Sequence, residues 1–94
     1  MFVHLSIHAP REGKTDLLID SMHRFGAAIR DKPGCRMVNT LKDEKTGKLI
    51  GLAIWDSKEQ MLAARPAMAE AVKDDPFDEW ESAPPEVFLL TPAE

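Results

Sequence analysis

Residues Lys32 to Gln60, KPGCRMVNTLKDEKTGKLIGLAIWDSKEQ, decide the fold. Pro33-Gly34 stops whatever precedes it, because proline disfavours helical geometry in the residue before it and glycine accepts left-handed angles. Asp43-Glu44-Lys45-Thr46-Gly47 is a charged turn with its glycine placed late, the mark of a hairpin with a short loop. Trp55 closes the second strand of that hairpin. Ser57 with Gln60 three residues on then forms a capping box that opens a helix. With one strand and helix before this stretch and another strand after it, the order is β-α-β-β-α-β.

Outward from there, Phe2 to Ala9 alternates, with Val3, Leu5, Ile7 and Ala9 pointing one way and Phe2, His4, Ser6 and His8 the other. Leu18, Met22, Phe25 and Ile29 recur at helical spacing between about Thr15 and Arg30. Strand two, about Arg36 to Lys42, leaves its facing open: Met37, Asn39 and Leu41 on one side, Arg36, Val38 and Thr40 on the other. Strand three, about Lys48 to Trp55, splits into Ile50, Leu52, Ile54 and Leu49, Gly51, Ala53, Trp55. Pro66 lacks a backbone donor, which predicts two short helical pieces, 58–65 and 66–73. Phe77 and Trp80 mark one more helical turn facing inward. Ala83-Pro84-Pro85 leads into the last strand, Glu86 to Thr91.

Ninety-four residues, 44% of them apolar, make one domain (1–94) with a modest core. A net charge of −4 with scattered basic residues argues against nucleic acid or an anionic membrane as partner. No apolar run is long enough to span a bilayer, and since a strand is read from Phe2 onward no signal peptide is expected. The single cysteine, Cys35, forms no internal disulfide and is expected to be a small buried hydrophobe. These features point to a reduced, cytoplasmic protein.

Two helices cover one face of an antiparallel sheet. The aliphatic sets Val3/Leu5/Ile7 and Ile50/Leu52/Ile54 are the natural choice for that face, against Leu18, Met22, Phe25 and Ile29. Leu52→Ala is then expected to be a core truncation, costing roughly 2–5 kcal/mol, and His4→Ala much less. The other face shows Phe2, His4, Ser6, His8, Gly51, Ala53 and Trp55, too apolar for water and too polar for a dry core. A second copy of the sheet is its expected cover, making a homodimer with a cavity for a small molecule.

Lys32-Pro33-Gly34-Cys35, the hairpin, Trp55-Asp56-Ser57-Lys58-Glu59 and Pro84-Pro85-Glu86-Val87 carry a resemblance over essentially the whole chain. It resembles the antibiotic biosynthesis monooxygenase family of the dimeric α+β barrel superfamily. The resemblance implies an α+β, ferredoxin-like fold with a four-stranded antiparallel sheet, two such sheets forming a dimeric barrel. It implies the activity of the family's enzymes, which are monooxygenases that oxidise small electron-rich aromatic or quinol substrates with dioxygen and without metal or flavin; cofactors are expected to be none. Such chemistry needs a base, donors that hold the substrate anion, and a largely apolar cavity. The pocket is expected between helices and sheet-face residues of one subunit, closed by its partner.

The residues fitting those roles are His4 and His8 as base or donor, Ser6 and Asn39 as neutral hydrogen-bonding groups, and Trp55 as a stacking wall with one N–H. Arg65, just before the expected helix break, is placed to reach the cavity mouth and favour an anionic substrate. Ala53 stands where many family members carry an acidic residue, and Ser57 to Asp75 contains no histidine. Phe2 to Ala9 has no asparagine, which disfavours the haem-degrading branch of the family. His4 and His8 stand about 13 Å apart along a strand, so they cannot share one metal from there, and no metal site is expected. His23 falls on the solvent side of its helix. Asp74-Asp75, Asp78-Glu79 and Glu81 are read as a solvated acidic surface. Three functions stay open: a cofactor-independent oxygenase, a non-catalytic dimeric domain binding a small metabolite, and haem binding or another barrel chemistry.

Overall fold

A computed structural model describes residues 1–94. Its elements are β1 (Phe2–His8), α1 (Thr15–Ile29), β2 (Cys35–Lys42), β3 (Leu49–Trp55), α2 (Lys58–Ala71), α3 (Phe77–Trp80) and β4 (Glu86–Leu90). The four strands form one antiparallel sheet in the order β2-β3-β1-β4. Helix α1 carries the chain from β1 past one strand position to β2, and the hairpin returns β3 into the gap. The punctuation in the deciding stretch acts as its chemistry dictates. Gly34 has φ +84° and its carbonyl accepts from Asp56 N–H at 2.8 Å. Gly47 (φ +75°) closes the hairpin, with Asp43 N–H donating to Lys48 O at 2.8 Å. The Ser57 hydroxyl accepts from Gln60 N–H at 3.3 Å and so caps α2.

The facing of the sheet differs from the sequence expectation. Trp55 is wholly buried, and Phe2 and Ala53 nearly so, in a core with Ile29, Met61, Ala64 and Met68 from the helices; Leu49 is wholly buried as well. The helices therefore cover the Phe2/His4/Ser6/His8 and Leu49/Gly51/Ala53/Trp55 side. Val3, Leu5, Ile7, Ile50, Leu52 and Ile54 lie on the opposite face, each only half-buried. Register settles strand two as well. Val38 pairs with Ala53, and its Cγ1 packs against Gly26 of α1, while Asn39 pairs with Leu52 and belongs to the uncovered face.

Helix α2 also departs from expectation, running unbroken from Lys58 to Ala71 with Pro66 inside it. Pro66 and Leu62, the residue one turn back whose carbonyl loses its donor, are both exposed, which gives water access to that part of the helix. Met61, Ala64 and Met68 anchor the helix to the core on both sides of the proline.

Two substitutions check this packing by urea unfolding. Trp55→Ala should cost roughly 3–5 kcal/mol and Leu52→Ala clearly less; the reverse order would refute the facing. Gly34→Ala should destabilise by more than about 1 kcal/mol, because an added Cβ meets the Gln60 side chain and the backbone angle is left-handed.

Candidate active site

Large side chains at the ends of β3 hold the helices against the sheet, whereas its middle positions are Gly51 and Ala53. The space left there is a cavity of about 190 Å³. Its walls come from β1 (His4, Ser6, His8), β2 and β3 (Val38, Thr40, Gly51, Ala53), α1 (Ser21, Met22, Phe25) and Val72, Phe77 and Val87. Asn39 and Leu52 also border it, although register assigns their side chains to the uncovered face.

Of the residues singled out in the sequence, the cavity brings together His4, Ser6 and His8, at alternate positions on one strand. Two others stand elsewhere. Trp55 is wholly buried in the core, its indole N–H makes no hydrogen bond, and it does not line the cavity. Arg65 is exposed on α2 and outside the lining, though its charge reaches His4. His23 is exposed. Cys35 is half-buried, and its thiol pKa is raised by that burial, which suits a packing role.

Glu81 is the residue that sequence reasoning missed. It is buried, with a carboxylate oxygen 2.7 Å from His8 Nδ1. The other imidazole nitrogen, Nε2, lies 2.9 Å from Ser6 Oγ. Backbone bonds put Glu81 there: Arg11 N–H donates to Trp80 O and Ser82 N–H to Ala9 O, both at 2.8 Å. The turn after α3 is thereby stitched to the chain leaving β1. Asp75 is likewise no solvated acid; it accepts from Ser21 Oγ–H at 2.6 Å and from Arg24 at 3.1 Å, tying the end of α2 to α1. Neither contact has a local sequence signal, since the partners are 73 and 54 residues apart.

In the tautomer that leaves Nε2 free to accept, His8 Nδ1–H donates to the Glu81 carboxylate. Nε2 is then the acceptor, and the Ser6 hydroxyl donates to it. His4 is different: it makes no hydrogen bond and stands edge-on to Phe25, ring centroids 6.2 Å apart. Burial, and secondarily the charge of Arg65, holds its pKa below the ordinary 6.5, so the ring is neutral at neutral pH. No cluster of three or more His, Cys, Asp or Glu side chains is arranged to hold a metal ion. No helix is long and apolar enough to cross a membrane.

No protein-family model matches the sequence, and no curated protein matches it either. Solved structures do match in fold. Rv0793 from Mycobacterium tuberculosis is 18% identical with a TM-score of 0.84, over 99% of this chain and 95% of that one. An antibiotic biosynthesis monooxygenase is 12% identical with a TM-score of 0.80, over the whole of both chains. SnoaB, a cofactor-independent oxygenase from Streptomyces nogalater, is 14% identical with a TM-score of 0.77, over 99% of this chain and 93% of that one. The chain thus has the ferredoxin-like fold of antibiotic biosynthesis monooxygenase domains.

The neutral His4 makes a prediction about stability. Its folded pKa is depressed, so the unfolded chain takes up a proton at about pH 6.5 that the folded chain resists. Its contribution is intact above that pH and is lost as pH falls through the folded value. His4→Phe should remove this loss, so urea midpoints of the two proteins measured between about pH 7 and pH 5 should diverge. Parallel curves would show that His4 is not held neutral.

Proposed function

We propose that the protein is a cofactor-independent monooxygenase acting on a small aromatic or quinol substrate. The carrying observation is the composition of the cavity: walls of Met22, Phe25, Val38 and Ala53, and convergent polar groups on β1, one of them an imidazole oriented by a buried carboxylate. The fold shared with SnoaB, a cofactor-independent oxygenase, supports this reading. A substrate hydroxyl beside Ser6 gives its proton to His8 Nε2, directly or through the Ser6 hydroxyl. The neutral ring of His4 offers an N–H to the resulting anion. That anion is electron-rich enough to reduce dioxygen. One oxygen atom enters the substrate and the other leaves as water, as a ring C–H para to the hydroxyl becomes C=O and the C–OH a second C=O; both hydrogens go to the water and the substrate supplies all the electrons.

Under this reading the protein works as a homodimer. The chain exposes 6093 Å², against about 5,400 Å² for a folded monomer of its mass. The uncovered sheet face contributes Leu41, Phe88 and Leu90, all more than 40% exposed. A second copy laid on that face buries them, and β4, which the helices leave uncovered, reaches toward the partner. Sedimentation at micromolar concentration should show a dimer. A monomer would remove the assembly from the proposal.

Dioxygen uptake with a panel of quinols and hydroxylated aromatics, in chelator-treated buffer, tests the activity. His8→Ala should lower the rate by about 10²–10⁴-fold with the fold intact, and His4→Phe, which removes the donor to the anion, should lower kcat with little change in KM. If substrates bind without uptake, the protein is a metabolite-binding domain.

A further inference from the structure

The chain Glu81–His8–Ser6 is also suited to a second chemistry. A carboxylate, both nitrogens of an imidazole and a serine hydroxyl form one hydrogen-bonded line, at 2.7 and 2.9 Å. Those are the contacts by which a base removes the proton of a nucleophilic serine and a third group holds the base in the right tautomer. The hydroxyl is also approachable. A Cβ at Gly51 would stand 2.7 Å from Ser6 Oγ, so glycine there is what lets the hydroxyl sit over β3 at the cavity wall. Ser6, His8 and His4 all line the same cavity.

We propose that Ser6 is a nucleophile and that the cavity cleaves small uncharged esters by acyl transfer, an activity separate from the proposed oxygenation. Ser6 Oγ attacks the ester carbonyl carbon as its proton passes to His8 Nε2. His4, neutral and without a hydrogen-bond partner, offers an N–H to the oxyanion, the service a neutral imidazole can render. The carbon–oxygen bond to the alcohol breaks, and His8 returns the proton to the departing oxygen. Water then gives a proton to His8 and attacks the acyl-serine, releasing the carboxylic acid and restoring the hydroxyl. Ester and water become acid and alcohol with no electrons transferred. Glu81 takes no proton in these steps and acts as a positioning residue. The volume of about 190 Å³ and its apolar walls select a short acyl group on a small alcohol or phenol.

The test uses the whole chain in anaerobic buffer, so that it and oxygen uptake succeed or fail independently. With 4-nitrophenyl acetate, a burst of nitrophenol equal to the protein concentration is expected, with the acetyl group mapped by mass spectrometry to Ser6. A fluorophosphonate should label the same residue. Ser6→Ala should lose both signals. His8→Gln, which keeps the hydroxyl, should lose the burst as well. Glu81→Gln, whose amide can turn the imidazole to the wrong tautomer, should slow the burst by about 10³–10⁴-fold, and Glu81→Asp should recover part of it. Adducts found only on lysines or the amino terminus would overturn the proposal, as would a burst unchanged in Ser6→Ala. Should Ser6→Ala fail to fold, the fluorophosphonate map of the unaltered chain decides alone.

Discussion

Trp55 and Phe2 lie opposite one another across β1 and β3, and both are buried beneath the helices. Side chains alternate along a strand with period two, so anchoring one pair commits the whole sheet. His4, Ser6 and His8 are drawn under the helices with Phe2, and Gly51 and Ala53 come with Trp55. Leu49 and Trp55 act as spacers at the two ends of β3. The small residues between them cannot fill the gap, and the cavity is what remains. Shifting the register by one residue would put the aliphatic set under the helices and the imidazoles on the far side, abolishing the site.

A second constraint places the carboxylate. Burying Glu81 is costly unless it meets a donor that keeps its charge satisfied, and His8 is the partner present. The backbone bonds joining Arg11 to Trp80 and Ala9 to Ser82 hold the two segments together independently of that pair. The Glu81–His8 geometry is thus imposed by main chain and does not depend on two flexible side chains finding each other. This is the arrangement a catalytic imidazole needs, because its orientation must survive proton transfer.

The order of elements was readable because its signals are local. Pro33-Gly34, the Asp43–Gly47 turn and Ser57 each act within a few residues, and the strand ends fall within a residue or so of where alternation puts them. Which face the helices take was not readable. Both faces are apolar, and counting branched aliphatics favours Val3/Leu5/Ile7 over a set containing two histidines and a glycine. A large aromatic at one end of the other set and small residues in its middle were the usable sign, since close helix packing needs both. Pro66 was read by its local cost alone, although core contacts on both sides of it outweigh one lost hydrogen bond. Glu81 had no local sign; only the folded chain brings residue 81 to residue 8.

The polar groups of the cavity are gathered along β1, while Met22 and Phe25 of α1 form the facing wall. A flat apolar ligand therefore has one favourable placement, with its ring against the helix and its oxygen toward the strand. Reversal would bury that oxygen without a partner, a loss of about 1–3 kcal/mol, and strand Ser6 and His8 against carbon. Orientation in this site is thus decided by the same alternation that decides the fold. It holds whether the reacting oxygen belongs to a phenol that loses its proton or to an ester carbonyl that gains a nucleophile.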